Sequence, residues 1–287
     1  FYRNFHISNK VGVETNMVYT SRFGKTGFGI DVSKVYLSSN NLGYRDRLVF
    51  NSFFEHRFDN MKKFDVTFGA AISSYSDFKT QFLPGLDIGY DISNNFKIFG
   101  NIGYTYRVPT YTDLYYSDPG NEGNPDLQPE SAISEEIGIK YLTDAFNFTF
   151  SLFNRNSSNL IDWARNSTTE KWKTQNFSNV ETRGFETSVN YIFKFAGFNQ
   201  SVDMNYNFID DDIKDTNVAF TRYSLNSLKH QFTTNLNTKF FSFLNQSISY
   251  RYVERTKGVS YNLVDAKVSA EISKLTLSLN ANNIFNT

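Results

Sequence analysis

The chain has 287 residues, 29 acidic and 29 basic side chains, and a mean hydropathy of −0.44. Balanced charge gives no support to a nucleic-acid surface, the absence of Cys excludes a disulfide framework or a Cys-based zinc site, and no apolar run reaches the ~18 residues of a membrane-spanning helix. An aromatic content of 17%, with 30 Phe and 18 Tyr, departs from this otherwise ordinary profile.

Phe1 lies within or beside a strand, with neither Met nor a charged leader, and the chain reads as a fragment or processed piece. Period-two alternation then recurs along its length. Loops at 38–44 and 75–80 and a short turn at 59–62 interrupt it first. In FKIFGNIGYTYR (96–107), one face carries Phe96, Ile98, Ile102, Tyr104 and Tyr106, and the other carries Lys97, Asn101, Thr105 and Arg107. Beyond the long connection 108–130, Phe146, Phe148, Phe150 and Leu152 alternate with Asn147, Thr149 and Ser151. The pattern returns as Phe232, Leu236 and Phe240 against Gln231, Asn235 and Lys239, and as Val264, Ala266, Val268 and Ala270 against Asp265, Lys267 and Ser269. About 14 such strands of roughly 10 to 14 residues exceed the ~5 to 6 of soluble sheets and meet the ~9 to 11 needed to cross a bilayer.

Connections alternate in length. Short ones fall at 59–62, 93–95, 143–145, 194–197, 241–243 and 272–274; longer ones fall at 108–130, 160–172 and 210–227, with 38–44, 75–80 and 255–260 as lesser members. Phe gathers at the short-turn ends and Tyr at several loop ends, as two interfacial girdles would. The expectation is an all-β fold in one domain spanning 1–287: a transmembrane antiparallel β-barrel in the outer membrane of a Gram-negative bacterium. Its apolar face meets lipid, its polar face a wet interior, and its long loops the outside.

One stretch breaks the alternation. RVPTYTDLYYSDPGNEGNPDLQPE (107–130) holds four of the five prolines, Pro109, Pro119, Pro125 and Pro129, together with Gly120 and Gly123. Pro removes a ladder donor and Gly tolerates positive φ, so the segment reads as a stiff, turn-rich outer loop. It also resembles the signature of TonB-dependent outer-membrane receptors. Arg107, Pro109, Thr110, Asp113, Leu114, Tyr115, Gly123, Asn124, Pro125, Leu127, Pro129, Glu130, Glu136 and Gly138 carry the resemblance. NVETRGFETSVNY (179–191), with Gly184 and Glu186, and NANNIFNT (280–287) are weaker echoes of the same family.

The resemblance implies a 22-stranded barrel filled by an N-terminal plug that the partner TonB pulls. About 14 of those strands lie in this chain, with the plug absent from it and the chain truncated at both ends. It further implies uptake of a scarce, large ligand, cobalamin ahead of ferric siderophore or haem, with lipopolysaccharide and a surface lipoprotein as neighbours and no cofactor. On that reading Tyr111, Tyr115 and Tyr116 supply rings to stack on a ligand, and Asp113 and Asp118 supply hydrogen-bond acceptors or cation ligands. Arg107, Asp113 and Glu130 are expected to pair among themselves. Trp163 and Trp172 read as ligand caps or, better, as membrane-interface anchors. Asp210, Asp211, Asp212 and Asp215 read as a solvated acidic loop, with Ca²⁺ binding as the lesser alternative. His6, His56 and His230 are too scattered to pair on a metal. The rival functions are a passive porin or fatty-acid-type channel of about 14 strands and, behind it, an outer-membrane hydrolase.

Overall fold

Long alternating stretches separated by turns of two to five residues leave the backbone little choice but to pair with its sequence neighbour. The computed structural model describes residues 3–59, 61–176, 179–214, 218–222 and 227–285. Strands β1 (His6–Ser21), β2 (Gly24–Ser39), β3 (Gly43–Phe58), β4 (Phe64–Tyr75), β5 (Phe78–Asp91) and β6 (Phe96–Arg107) run up and down. A short helix α1 (Tyr111–Tyr115) and strand β7 (Asn121–Glu122) then precede β8 (Glu130–Leu142) and β9 (Phe146–Ser158). A hairpin of β10 (Ile161–Arg165) and β11 (Trp172–Asn176) leads to the longest pair, β12 (Asn179–Phe195) and β13 (Phe198–Lys214). The chain finishes with β14 (Phe220–Thr221), β15 (Leu228–Phe241), β16 (Leu244–Arg255), β17 (Tyr261–Ile272) and β18 (Leu275–Ala281).

Fourteen of these strands form one antiparallel sheet in chain order, β7, β10, β11 and β14 standing apart from it. Among the described residues β1 pairs with β2 alone and β18 with β17 alone, so the sheet has two open edges. A self-closed 14-stranded channel is therefore not the fold adopted. The short turns collect at one end. At 196–197 both central residues are left-handed, with φ of 52° at Ala196 and 85° at Gly197, the requirement of a two-residue hairpin that follows the strand twist.

The two faces separate as the alternation demands. Leu86, Ile88, Ile98, Ile102 and Ile137 lie together on the outer face, while Asp65, Asp87, Lys97, Asn101, Glu136 and Glu186 line a cavity of ≈ 790 Å³ on the inner one. Further round, Lys267 lines a second inner cavity with Asn237, Lys239 and Ser247, and its neighbour Val268 is exposed on the opposite face. At the short-turn end, rings meet along the outer surface: Tyr141 and Phe146 at 6.2 Å, Phe146 and Tyr191 at 6.2 Å, Tyr191 and Phe193 at 5.4 Å. Phe146 and Phe193 are expected at this end, and Tyr141 and Tyr191 join them.

Three inward Phe side chains lie over glycines of the adjacent strand. Phe53 is the register partner of Gly29, Phe99 of Gly138, and Phe153 of Gly184. A Cβ at Gly138 or Gly184 would come within 2.5 Å of the facing ring. An aromatic over a strand glycine covers backbone that would otherwise be bare, which explains both family-motif glycines.

The loop side differs from expectation in three places. Residues 160–172 are not an irregular loop, because Ile161–Arg165 and Trp172–Asn176 pair as a hairpin. The connection at 75–80 shrinks to the two residues between Tyr75 and Phe78. The acidic run is not a loop either: Asp210, Asp211 and Asp212 belong to β13, and Asp215 lies outside the described residues. Strand alternation turns Asp211 away from its two neighbours, so the three carboxylates cannot converge on one ion. Asp211 instead accepts from the Thr182 hydroxyl at 2.6 Å, and no group of three His, Asp or Glu able to hold a metal occurs among the described residues.

Candidate functional site

The segment 107–130 is built from its ends inward. Arg107 ends β6 and Glu130 opens β8, directly opposite each other. Their side chains form a two-pronged pair, Nε to Oε2 at 2.6 Å and Nη2 to Oε1 at 2.7 Å, a geometry that favours a fixed loop mouth. Glu130 Oε1 also accepts from the Ile161 amide at 2.7 Å, joining the β10 hairpin to the same point. Arg107 reaches Asp113 as well, at 3.5 Å.

Helix α1 starts because Thr110 and Asp113 cap each other. The Asp113 amide donates to Thr110 Oγ1 at 3.1 Å, and the Thr110 amide donates to Asp113 Oδ2 at 2.9 Å. A reciprocal cap of this kind satisfies the amides that a helix start leaves orphaned. The Asp113 carboxylate is thus engaged by the loop itself. Leu114 points inward and is 3% exposed, packed with Leu127 and Ile161 in a small core flanked by Phe78 and Tyr115. Gly123 tucks under the end of the helix, where a Cβ would sit 2.8 Å from the Tyr115 amide nitrogen. Its amide donates to the Tyr116 carbonyl at 2.6 Å, and the Asn124 amide to that of Asp113 at 2.9 Å. Asn124 Oδ1 accepts from the Asp126 amide at 2.9 Å to make the next turn. Pro125, Leu127 and Pro129 line a cavity of ≈ 550 Å³ with Tyr104 and Tyr106.

Asp118 organises the tip. It accepts from Asn121 Nδ2 at 2.8 Å, the Gly120 amide at 2.7 Å and the Tyr116 hydroxyl at 3.0 Å. Those bonds, Asn121 first, hold its carboxyl below the usual carboxylate range. Tyr111 and Tyr115 stack with ring centroids 6.4 Å apart, under Arg47 at 4.9 Å and Arg45 at 3.8 Å respectively. Burial pushes the Tyr111 phenol up.

Above this, β14, β10, β11 and β7 make a four-stranded sheet from three separate connections. Trp163 sits within it at 8% exposure with its ring edge-on to Tyr116 at 6.2 Å. Trp172 is opposite Asn121, with Arg165 over its ring at 4.4 Å and Arg222 at 4.8 Å. Both indoles are therefore packed among the loops. Of the sequence-expected site residues, Tyr111, Tyr115, Tyr116, Trp163, Trp172, Asp113 and Asp118 all belong to this assembly. Gly184 and Glu186 belong to the barrel wall, where Glu186 lines the inner cavity.

Sequence reasoning missed the side chains that tie the assembly together and to the wall. Arg47, 8% exposed, donates to Asp77 at 2.9 Å and to the buried carbonyl of Pro109. Asn41 and Ser117 exchange two hydrogen bonds, and Asn176 both donates to and accepts from the backbone of Gln128. Nothing local distinguishes Arg47 from Arg45 or Arg57, since its partners lie 30 to 62 residues away.

The model of the TonB dependent receptor-like β-barrel matches residues 1–284. The chain belongs to the TonB-dependent receptor β-barrel family. Among relatives of this receptor barrel, the vitamin B12 transporter BtuB of Vibrio vulnificus is 29% identical over 123 residues, covering 42% of this chain and 20% of the relative. That of Photobacterium profundum is 27% identical over 150 residues, covering 50% of this chain and 23% of the relative. The solved siderophore receptor PirA of Acinetobacter baumannii superposes on the receptor barrel with a TM-score of 0.79 at 13% identity, covering 99% of this chain and 51% of that one. The chain thus spans about half the length of that structure and a smaller share of the curated relatives.

Proposed function

We propose that this receptor barrel serves TonB-dependent import of a scarce, large ligand across the outer membrane, with cobalamin favoured and ferric siderophore or haem next. The observation that carries the reading is the loop assembly itself. A Pro- and Gly-rich segment bearing the family motif is cross-braced into a stiff, Tyr- and Trp-rich cap beside a polar barrel interior. Rigid amphipathic rings suit a macrocycle or aromatic chelate, because little side-chain freedom is lost when such a ligand docks. Cobalamin ranks first because the relatives at 29% and 27% identity are vitamin B12 transporters. In this reading TonB supplies energy from the periplasmic side, lipid and lipopolysaccharide surround the apolar wall, and a surface lipoprotein is a further neighbour. The role is transport rather than catalysis.

Uptake of labelled cobalamin is the test, in a strain lacking the full-length gene and in the same strain complemented. Loss without the gene and recovery with it is the expected result. Unchanged uptake would sink the cobalamin reading, and a parallel loss of ferric siderophore uptake would put the second ligand in its place.

A further inference from the structure

One face of the small loop sheet concentrates positive charge on aromatic ground without acidic partners among the described residues. Arg165 is the cross-strand partner of Phe220, and Arg222 comes directly after that short strand, its amide bonded to the Trp163 carbonyl at 3.0 Å. The two guanidinium groups share one indole: Arg165 lies 4.4 Å and Arg222 4.8 Å from the centre of Trp172. Arg165 also contacts Phe220 at 5.8 Å, and Arg222 contacts Trp163 at 5.6 Å.

Neither arginine faces a carboxylate among the described residues. Arg222 donates to the amide oxygen of Asn121 at 2.9 Å, and Arg165 donates to the Thr168 carbonyl at 3.2 Å while its buried Nε has no acceptor. The nearby acids are engaged elsewhere, Glu122 with Lys173 at 3.5 Å and Glu170 with the Asn166 amide at 2.9 Å. Two like charges held against one ring repel, and each retains donors in a fixed fork suited to an oxyanion. Stacking on aromatics pre-organises both groups, so that little ordering remains when the anion arrives.

We propose that Arg165 and Arg222, both stacked on Trp172, form a recognition site for a phosphate-type oxyanion on the imported ligand. The site adds a charge-reading element to a cap otherwise dominated by neutral rings. It rests on the import reading only for the source of the anion, since binding of the anion itself is measured independently.

The test uses the purified full-length receptor and its Trp172→Phe variant, with the difference in their tryptophan emission reporting on the site. Inorganic phosphate is titrated at constant ionic strength. A saturable change is expected, weakening by at least about tenfold in the Arg165→Gln/Arg222→Gln variant, the scale of a charged hydrogen bond, and in part restored by Arg165→Lys/Arg222→Lys. Absence of a saturable change in the wild-type receptor overturns the site, as does an unchanged titration in the double Gln variant. Two further arms assign the source. Cyanocobalamin, which carries a phosphodiester, is expected to compete with phosphate, whereas dicyanocobinamide, which lacks it, is not. Competition by lipid A instead would overturn the ligand assignment, and equal competition by both corrinoids would do the same.

Discussion

Both terminal nitrogens of Arg47 lie 3.3 Å from the carbonyl oxygen of Pro109, 62 residues further along the chain. The same guanidinium pairs with Asp77 at 2.8 Å, with Phe78 at 5.2 Å and Tyr111 at 4.9 Å. Arg47 therefore fixes the root of the 107–130 loop to the barrel rim through charge, a backbone acceptor and two rings together. Arg47→Ala is expected to release the loop at a cost of about 1 to 3 kcal/mol, because it leaves a buried carbonyl without its donor. Arg47→Lys should recover only part, since an ammonium cannot span the same fork. Protease cleavage within 108–129 reads the outcome; cleavage no faster than in the parent would refute the latch.

The inner and outer faces predict opposite responses at adjacent positions. Val268→Arg places a charge on the lipid side and should cost about 2 to 4 kcal/mol if it lies near the bilayer midplane. Lys267→Gln, on the inner cavity wall, should be nearly silent. Urea titration of the folded receptor in lipid vesicles compares the two, and equal effects would contradict the assigned faces.

Glycines of the wall divide by what lies beside them. At Gly184 a Cβ would collide with the Phe208 carbonyl as well as the Phe153 ring, whereas at Gly103 it would meet nothing within 4 Å. Gly184→Ala is expected to cost roughly 1 to 3 kcal/mol through overpacking. Because one obstacle is backbone, trimming the ring in a Phe153→Ala/Gly184→Ala variant should not restore stability. Gly103→Ala should be close to neutral, and heat resistance of the folded barrel on gels provides the comparison.

The tip of the loop carries a pH dependence of defined sign. The Asp118 carboxyl is held low by Asn121 and the Gly120 amide, so its bonds are intact above the ordinary carboxylate pKa of about 3.9 and fail as pH falls through the lower folded value. Amide exchange at Gly120, taken relative to its intrinsic rate at each pH, should therefore be unaffected from neutrality down to about pH 4 and rise below it. In Asp118→Asn the exchange should already be faster at neutral pH, with the acid-side change removed. A rise centred near pH 6 would point to another group.

Much of the wall was legible because period-two alternation acts residue by residue. The 14 strands, the inward Lys97 and Lys267, the outward Ile98 and Val268, and the Phe-rich end all follow from it. The Arg107–Glu130 pair was legible for a related reason, since both residues flank one loop. The cap was not. Phe220–Thr221 and Asn121–Glu122 are strands of two residues, too short for any period to register. The roles of Asn176 toward Gln128 and of Arg222 toward Asn121 depend on contacts 48 and 101 residues away, which no local pattern encodes. The acidic run misled because composition suggested a loop, while β-pairing with β12 carried the strand through to Lys214; Asp210 and Asp212 are exposed, as expected.

The four-stranded cap draws its strands from the connections 108–129, 159–178 and 215–227. Inserting a residue within β10 or β11 shifts a pairing on which the neighbouring strands of this sheet depend. A pairing slip by one residue exchanges the faces of a strand, so such an insertion would turn Trp163 or Trp172 to the other face and rearrange its neighbours. The outer surface is thus inherited as a set, and grafting a single loop from another receptor should fail where transplanting all three together succeeds.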